Sequence, residues 1–483
     1  MSIESQIRGG IGWSAGTRFV AQLIAWGVSI FVMRILSPTD YGLIAMATVL
    51  IGFLNLFSEL GLGWAVVNAS AHEVDLLTLR KVYGLVLIVH AAIFAIVFIS
   101  APFIADFFGE ERLTAIARIA GLQFLFVAPG VIPNAILQRE LEFKWRSLIG
   151  LAAAVLSALG TLAFALAGSG VWALVGGSLI AALLGTIGIN LLQPFLHWPS
   201  FDFTGLRKLF AFGGYVALSR VFLYLHLQAD MVIGGRLLGK EQIGYYSVGM
   251  HLASLPMQRV SAILNDVAFP AFSRIQDDRA RVAHHVLQAI RLASLFSFPV
   301  FWGIGAVAPE IVGVFLGEKW EPAILPLEIL AIVMPIRMIG QLMPPTLQGV
   351  GKAGLNAFNQ FVLFAAMTVA FLIGAQYGIV GLSIAWLVVF PITFLANVAS
   401  WFPALGIPMS RMGSAMAGPM LAAVAMFASV AGARAYGAGH GVTALATLVL
   451  VGAASYVALT LIVNRNGLRE ARALILRRMS RSA

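Results

Sequence analysis

The chain contains no cysteine, and only 11% of its 483 residues are charged. Without cysteine there is no disulfide, no thiol nucleophile and no thiolate metal site. An ordinary soluble domain carries about 25% charged residues. So few charges cannot cover a soluble surface of this size, which excludes a soluble enzyme, a nucleic-acid-binding protein and a disordered chain. No glycine-rich loop of the Walker type is present, so ATP is not expected to drive this chain directly. No His/Asp/Glu cluster has catalytic metal spacing: His284-His285 is a loop pair beside Arg281. The one DD pair, Asp277-Asp278, sits in the polar run SRIQDDRARVAHH and reads as a helix start or a solvated face. An enzyme is therefore not expected. What the chain does have is apolar residues, 60% of the total, with a mean hydropathy of +0.92. It also has 49 glycines, as expected where helices pack closely in lipid.

A bilayer core needs about 20 apolar residues per helix. On that ruler the sequence holds about fourteen spans, near 12–33, 42–67, 82–101, 113–133, 147–167, 171–192, 213–235, 244–268, 287–308, 323–344, 356–376, 379–401, 416–433 and 443–463. The first is too long for a cleaved signal and is followed at once by another span. Loop charge sets the orientation. With a cytoplasmic N-terminus, 20 of the 31 Lys and Arg fall on cytoplasmic segments, six outside and five within spans. Both termini are therefore expected in the cytoplasm, and the formal charge of +10 reads as cytoplasmic loop charge.

The chain also repeats itself. RILSPTDYG at Arg34–Gly42 matches RLLGKEQIG at Arg236–Gly244 with an offset of 202 residues, which also aligns Arg18 with Arg220. Leu137-Gln138 matches Leu347-Gln348 at an offset of 210, placing Arg118 opposite Glu328. Spans one to six thus read as a direct repeat of spans seven to twelve. Transporters built from parallel repeats relate two bundles by an axis along the membrane normal. The expected division is a six-helix bundle over 1–200, a second over 201–405, two extra helices over 406–464 and a basic cytoplasmic tail over 465–483.

Several stretches carry a resemblance: GWSAGTRF at 12–19, SELGLGWAVV at 58–67, LQRELEFK at 137–144, DMVIGGRLLGKEQIGY at 230–245, AFPAFSRIQDD at 268–278 and FLGEKW at 315–320. On these the chain resembles the Wzx-type polysaccharide flippases of the multidrug/oligosaccharidyl-lipid/polysaccharide superfamily. The likeness is to the branch serving exopolysaccharides such as colanic acid, xanthan and succinoglycan. It covers roughly residues 5–410 and the last two spans by hydropathy alone. The resemblance implies an all-α polytopic membrane protein, two six-helix bundles facing each other in a V about a pseudo-two-fold axis, and two C-terminal helices. It implies transfer of an undecaprenyl-diphosphate-linked oligosaccharide across the bacterial inner membrane, with polymerase and chain-length proteins of the same pathway as partners and no nucleic acid. The alternatives are an ion-coupled exporter of small molecules and a membrane glycosyltransferase or polymerase.

Nine ionisable residues fall within spans: Arg18, Glu59, Arg118, Arg220, Asp230, Arg259, Asp266, Glu328 and Arg337. Facing lipid, each costs about 2.5–3.5 kcal/mol, so they should face protein or a wet cavity. Arginine keeps its charge and offers phosphate a bidentate fork. Arg18 and Arg220 lie about 10 Å inside the cytoplasmic ends of their helices, at the level of an entering diphosphate headgroup; the plain alternative is snorkelling to the interface. Arg118, Arg259, Arg337 and Asn55 are further cavity candidates. Arg259 and Asp266 share a face, as do Asn55 with Glu59 and Arg337 with Gln341. Glu59, Asp266, Glu328 and the i, i+4 pair His226–Asp230 are candidates for coupling or gating, since histidine changes charge near neutral pH. No cofactor is expected beyond a coupling proton or sodium ion.

Overall fold

The computed structural model describes residues 26–58, 75–140, 142–204, 214–273, 278–437 and 441–463, with the side chains of 143, 214–219, 258–273, 279 and 404 left aside. All regular structure among the described residues is helical: α1 (Trp26–Ile35), α2 (Pro38–Ser58), α3 (Leu76–Phe108), α4 (Arg112–Val127), α5 (Val131–Arg139), α6 (Phe143–Leu166), α7 (Val171–Leu192), α8 (Gly214–Ser273), α9 (Arg279–Ala306), α10 (Ile324–Gly340), α11 (Met343–Gly349), α12 (Ala353–Gly374), α13 (Gly378–Trp401), α14 (Met409–Ala435) and α15 (Gly441–Val463), with a few short helical turns between them. In hydrocarbon every backbone group must find its partner within the protein, and a helix achieves that within one segment.

Eleven described stretches are long and apolar enough to cross a membrane. Two of them hold more than one expected span. The stretch Arg220–Met257 breaks at Gly239, whose φ of 80° and ψ of 176° interrupt α8, and Ala353–Trp401 contains the turn Ala375–Tyr377 between α12 and α13. The first expected span starts outside the described residues, where Arg18 and Glu59 also lie. Arg259 and Asp266 stand on the described backbone of α8, with side chains outside what is described.

The chain divides into two compact units. The first takes the described residues up to Ala217 together with Gly239–Gly244; the second takes Leu218–Leu238 and the described residues from Tyr245. In the first, α3 begins on Asp75, whose carboxylate accepts from the Thr78 amide at 2.7 Å, and ends at Gly109 with φ 67°. It packs on α4, while α6 and α7 form a hairpin. Val82, Val86, Ile132, Ala135 and Phe195 make one core cluster, and Val32, Leu36, Ala165 and Ala173 another. The segment after α7 is strapped across the start of α3: Ser200 donates to the Arg80 carbonyl, Arg80 to the Trp198 carbonyl, and Lys81 meets Asp202 at 2.6 Å. In the second unit α9 packs on α10 and α14, α14 on α15, and α13 on α10 and α12. Asp278 caps α9 by accepting from the Arg281 amide at 3.0 Å, which makes it a helix start; Asp277 lies outside the described residues.

The same irregularity recurs in each unit. The span holding α4 breaks at Ala128–Gly130 before the short α5, and the span holding α10 breaks after Gly340 before the short α11. These short helices carry the two Leu-Gln matches of the sequence repeat.

Candidate functional site

The described residues gather their buried charge in the second unit, where α8, α10 and α13 meet. The starting point is Trp386 on α13. In an apolar helix an indole N–H has no water to bond, so it needs an acceptor from a neighbour. Asp230, on the first limb of α8, supplies one: its Oδ2 accepts from Trp386 Nε1 at 2.9 Å and from the Tyr246 hydroxyl at 2.7 Å. Trp386 Nε1 also lies 3.0 Å from the Tyr246 oxygen, and Asp230 Oδ1 accepts from the Met231 amide at 2.7 Å. Asp230, Tyr246 and Trp386 are all buried.

Above the indole lies a cation. The Arg337 guanidinium, on α10, stands 3.8 Å from the Trp386 ring centroid and is 7% exposed. Trp386 therefore bridges opposite charges, its face toward Arg337 and its N–H toward Asp230. The Arg337 Nη1 meets the Met250 and Met334 sulfurs at 3.3 and 3.8 Å, both weak acceptors. One helical turn before Asp230, His226 packs edge-on against Trp386 at 5.1 Å and stacks near Phe390 at 6.0 Å. It is 1% exposed, and its Nδ1 has no hydrogen-bond partner among the described residues. Unpaired imidazole nitrogen at that depth is costly unless a proton or ligand uses it.

Of the residues singled out in the sequence, the structure brings together His226, Asp230 and Arg337. Arg118 stands apart in the first unit, its Nε donating to the Phe98 carbonyl at 3.2 Å and its guanidinium 4.3 Å from the Phe98 ring. Asn55 is exposed and accepts from Ser58 Oγ at 2.8 Å. Arg220 is exposed, and Glu328 is half-buried on α10 in the second unit. Gln341 lies just past the end of α10.

The family described as "Polysaccharide biosynthesis protein" matches residues 31–325, more than half of the chain. The chain belongs to this family. Two relatives of this polysaccharide biosynthesis protein extend the likeness beyond that range. "Lipopolysaccharide biosynthesis protein WzxC" of Escherichia coli (strain K12) is 25% identical over 420 residues, 84% of this chain and 83% of that one. "Succinoglycan biosynthesis transport protein ExoT" of Rhizobium meliloti (strain 1021) is 26% identical over 476 residues, 95% and 94% of the two chains. Among solved structures, "Lipid II flippase MurJ, inward closed conformation" superposes with a TM-score of 0.74 at 16% identity, covering 94% of this chain and 99% of that one. At that identity the likeness is one of fold: this polysaccharide biosynthesis protein is an all-helical, multi-pass membrane protein.

Two members of the buried cluster escaped the sequence reading. Tyr246 and Trp386 lie 16 and 156 residues from Asp230. The usable signal was chemical: a tryptophan and a tyrosine inside apolar runs each need an acceptor, and Asp230 is a buried carboxylate in the same set of helices.

Proposed function

We propose that this chain flips an undecaprenyl-diphosphate-linked oligosaccharide from the cytoplasmic to the periplasmic leaflet of the bacterial inner membrane by alternating access, with both termini in the cytoplasm. The observation that carries the reading is Arg337. A guanidinium in this state, steadied on one face by Trp386 and meeting thioether sulfurs at Nη1, keeps capacity for a bidentate bond to phosphate oxygens. Arg18 and Arg220 supply further cations on this reading. The printed names of the relatives, a lipopolysaccharide protein and a succinoglycan transport protein, fit a lipid-carried sugar, as does that of the lipid II flippase. The excess of basic residues on one set of loops supports the orientation.

Coupling on this reading uses a proton taken up by His226. A cation there lies beside Trp386 and one turn from Asp230, so it adds a second positive charge next to the indole that already carries Arg337. Proton uptake then loosens the hold on Arg337 and changes what Arg337 offers an anion.

Reconstitution tests the proposal. Purified protein in sealed vesicles containing a diphosphate-linked oligosaccharide lipid should expose the sugar to an added lectin on the far side, and Arg337→Ala should lose that activity. Sugar that stays in its leaflet, with a small organic cation exported under a proton gradient instead, would overturn the flipping reading in favour of an exporter.

A further inference from the structure

The two copies of the repeat motif meet. Pro38 corresponds to Lys240 and Gly42 to Gly244, each pair 202 residues apart. A Cβ on Gly42 would collide with the Lys240 carbonyl oxygen. A Cβ on Gly244 would collide with the Pro38 carbonyl oxygen and stand 3.2 Å from the Gly42 amide nitrogen. Each glycine thus lies on the residue four positions before the other, a reciprocal contact of the kind two copies of one motif make about a two-fold. Neither glycine has positive φ, so backbone conformation does not call for glycine here. Proximity does: main chains approach this closely only where no Cβ intervenes.

Two neighbouring features suit a contact that opens. Gly239, with φ 80°, breaks α8 just before the tip Gly239–Gly244 and supplies a hinge. One side-chain bond at the tip is the ion pair of Lys240 with Glu110, and the lysine is 41% exposed. Glu110 is only 13% exposed, but the lysine end is in water, where the attraction is screened and the ammonium can return to solvent.

We propose that the Gly42–Gly244 crossing is a releasable clasp on the periplasmic face, which must part once in every transport cycle. Gly42 and Gly244 are positioning residues: they touch no substrate and set how closely the face can shut. The proposal rests on the flipping function and orientation argued above, and its test separates the two.

The native chain has no cysteine, so introduced thiols react alone. In the first arm, Glu110→Cys with Lys240→Cys is bridged by a short bis-methanethiosulfonate reagent in reconstituted vesicles. The unbridged double variant should flip lipid-linked oligosaccharide, bridging should cut the rate at least tenfold, and reduction should restore it. Bridged protein that flips at the unbridged rate overturns the clasp. In the second arm, Lys240→Cys is labelled by a membrane-impermeant maleimide with and without Gly42→Leu. The leucine should speed labelling at least fivefold at unchanged membrane abundance, whether or not the protein flips lipid. Equal labelling overturns the clasp. Wild-type protein that flips nothing while the leucine still speeds labelling removes the flipping function and leaves the closure standing.

Discussion

In the first unit, four described cations are held at separate places. Lys81 meets Asp202, Arg80 the Trp198 carbonyl, Lys240 Glu110, and Arg118 the Phe98 carbonyl. In the second unit, charges such as Arg281, Lys352 and Arg411 are exposed, but the described buried groups act together: His226, Asp230 and Arg337 surround one indole. The broken fourth span recurs in both, yet the electrostatics of the described residues do not. A repeat preserves what packing requires. Among the described residues, charge is buried in only one copy, and that has to be explained by what the copy does.

The sharpest way to break this comparison is Asp230→Ala. It strands the N–H of Trp386, the hydroxyl of Tyr246 and the charge of Arg337 in the interior, a class of change that costs about 3–5 kcal/mol. Thermal unfolding in detergent should drop by many degrees and flipping should vanish. Adding Arg337→Met should recover much of the unfolding temperature and none of the flipping. An unchanged unfolding temperature for the single variant would mean that the cluster is not an electrostatic unit.

Trp386→Phe is the next test. It keeps an aromatic face for Arg337 and deletes the N–H to Asp230, leaving the carboxylate one donor short, at a cost of about 1–3 kcal/mol. Flipping should fall roughly tenfold with protein still in the membrane, and loss of stability without loss of flipping would confine Trp386 to packing.

Arg118→Gln probes the first unit. It removes one cation–aromatic contact and one bond to a carbonyl, a change of about 1 kcal/mol. Flipping within threefold of wild type is expected; complete loss would move the functional charge into both units.

The smallest effect belongs to the strap. The Lys81 ammonium, with help from Thr204, holds the Asp202 carboxyl down to about 2. A lowered folded value means the contact is present above the ordinary carboxylate range near 3.9 and is lost as pH falls toward 2. Asp202→Asn should therefore speed proteolytic clipping between 193 and 204 only slightly at pH 7, whereas wild type should loosen only in acid.

The fold was largely legible because a bilayer leaves few solutions. Apolar runs of spanning length gave helices, and the Asp75 and Asp278 caps agree with their polar surroundings in sequence. The break at Gly239 falls in the charged gap expected between two spans, whereas those at Ala128–Gly130 and after Gly340 lie inside expected spans and were harder, since their apolar surroundings carry no stop signal. Within the site, the i, i+4 spacing of His226 and Asp230 put both on one face of one helix, and that was readable. The partners on α10 and α13 were not, since pairings across 156 residues are fixed by packing and not by periodicity. The two motif glycines were visible as a match, but only coordinates reveal that a match can also be a contact.

The position of the tip Gly239–Gly244 has a consequence for biogenesis. Its flanking limbs belong to the second unit, while the tip itself is counted in the first. A ribosome delivers α2 and the α3–α4 turn long before this tip emerges, so the surface that receives Gly244 is already in place when α8 enters the membrane. The tip then meets a finished surface as soon as it enters, before the clasp begins its cycle of opening and closing. A chain cut in two within 205–213 and expressed as separate pieces should reassemble through that tip, and a bulky residue at Gly42 should defeat the rejoining.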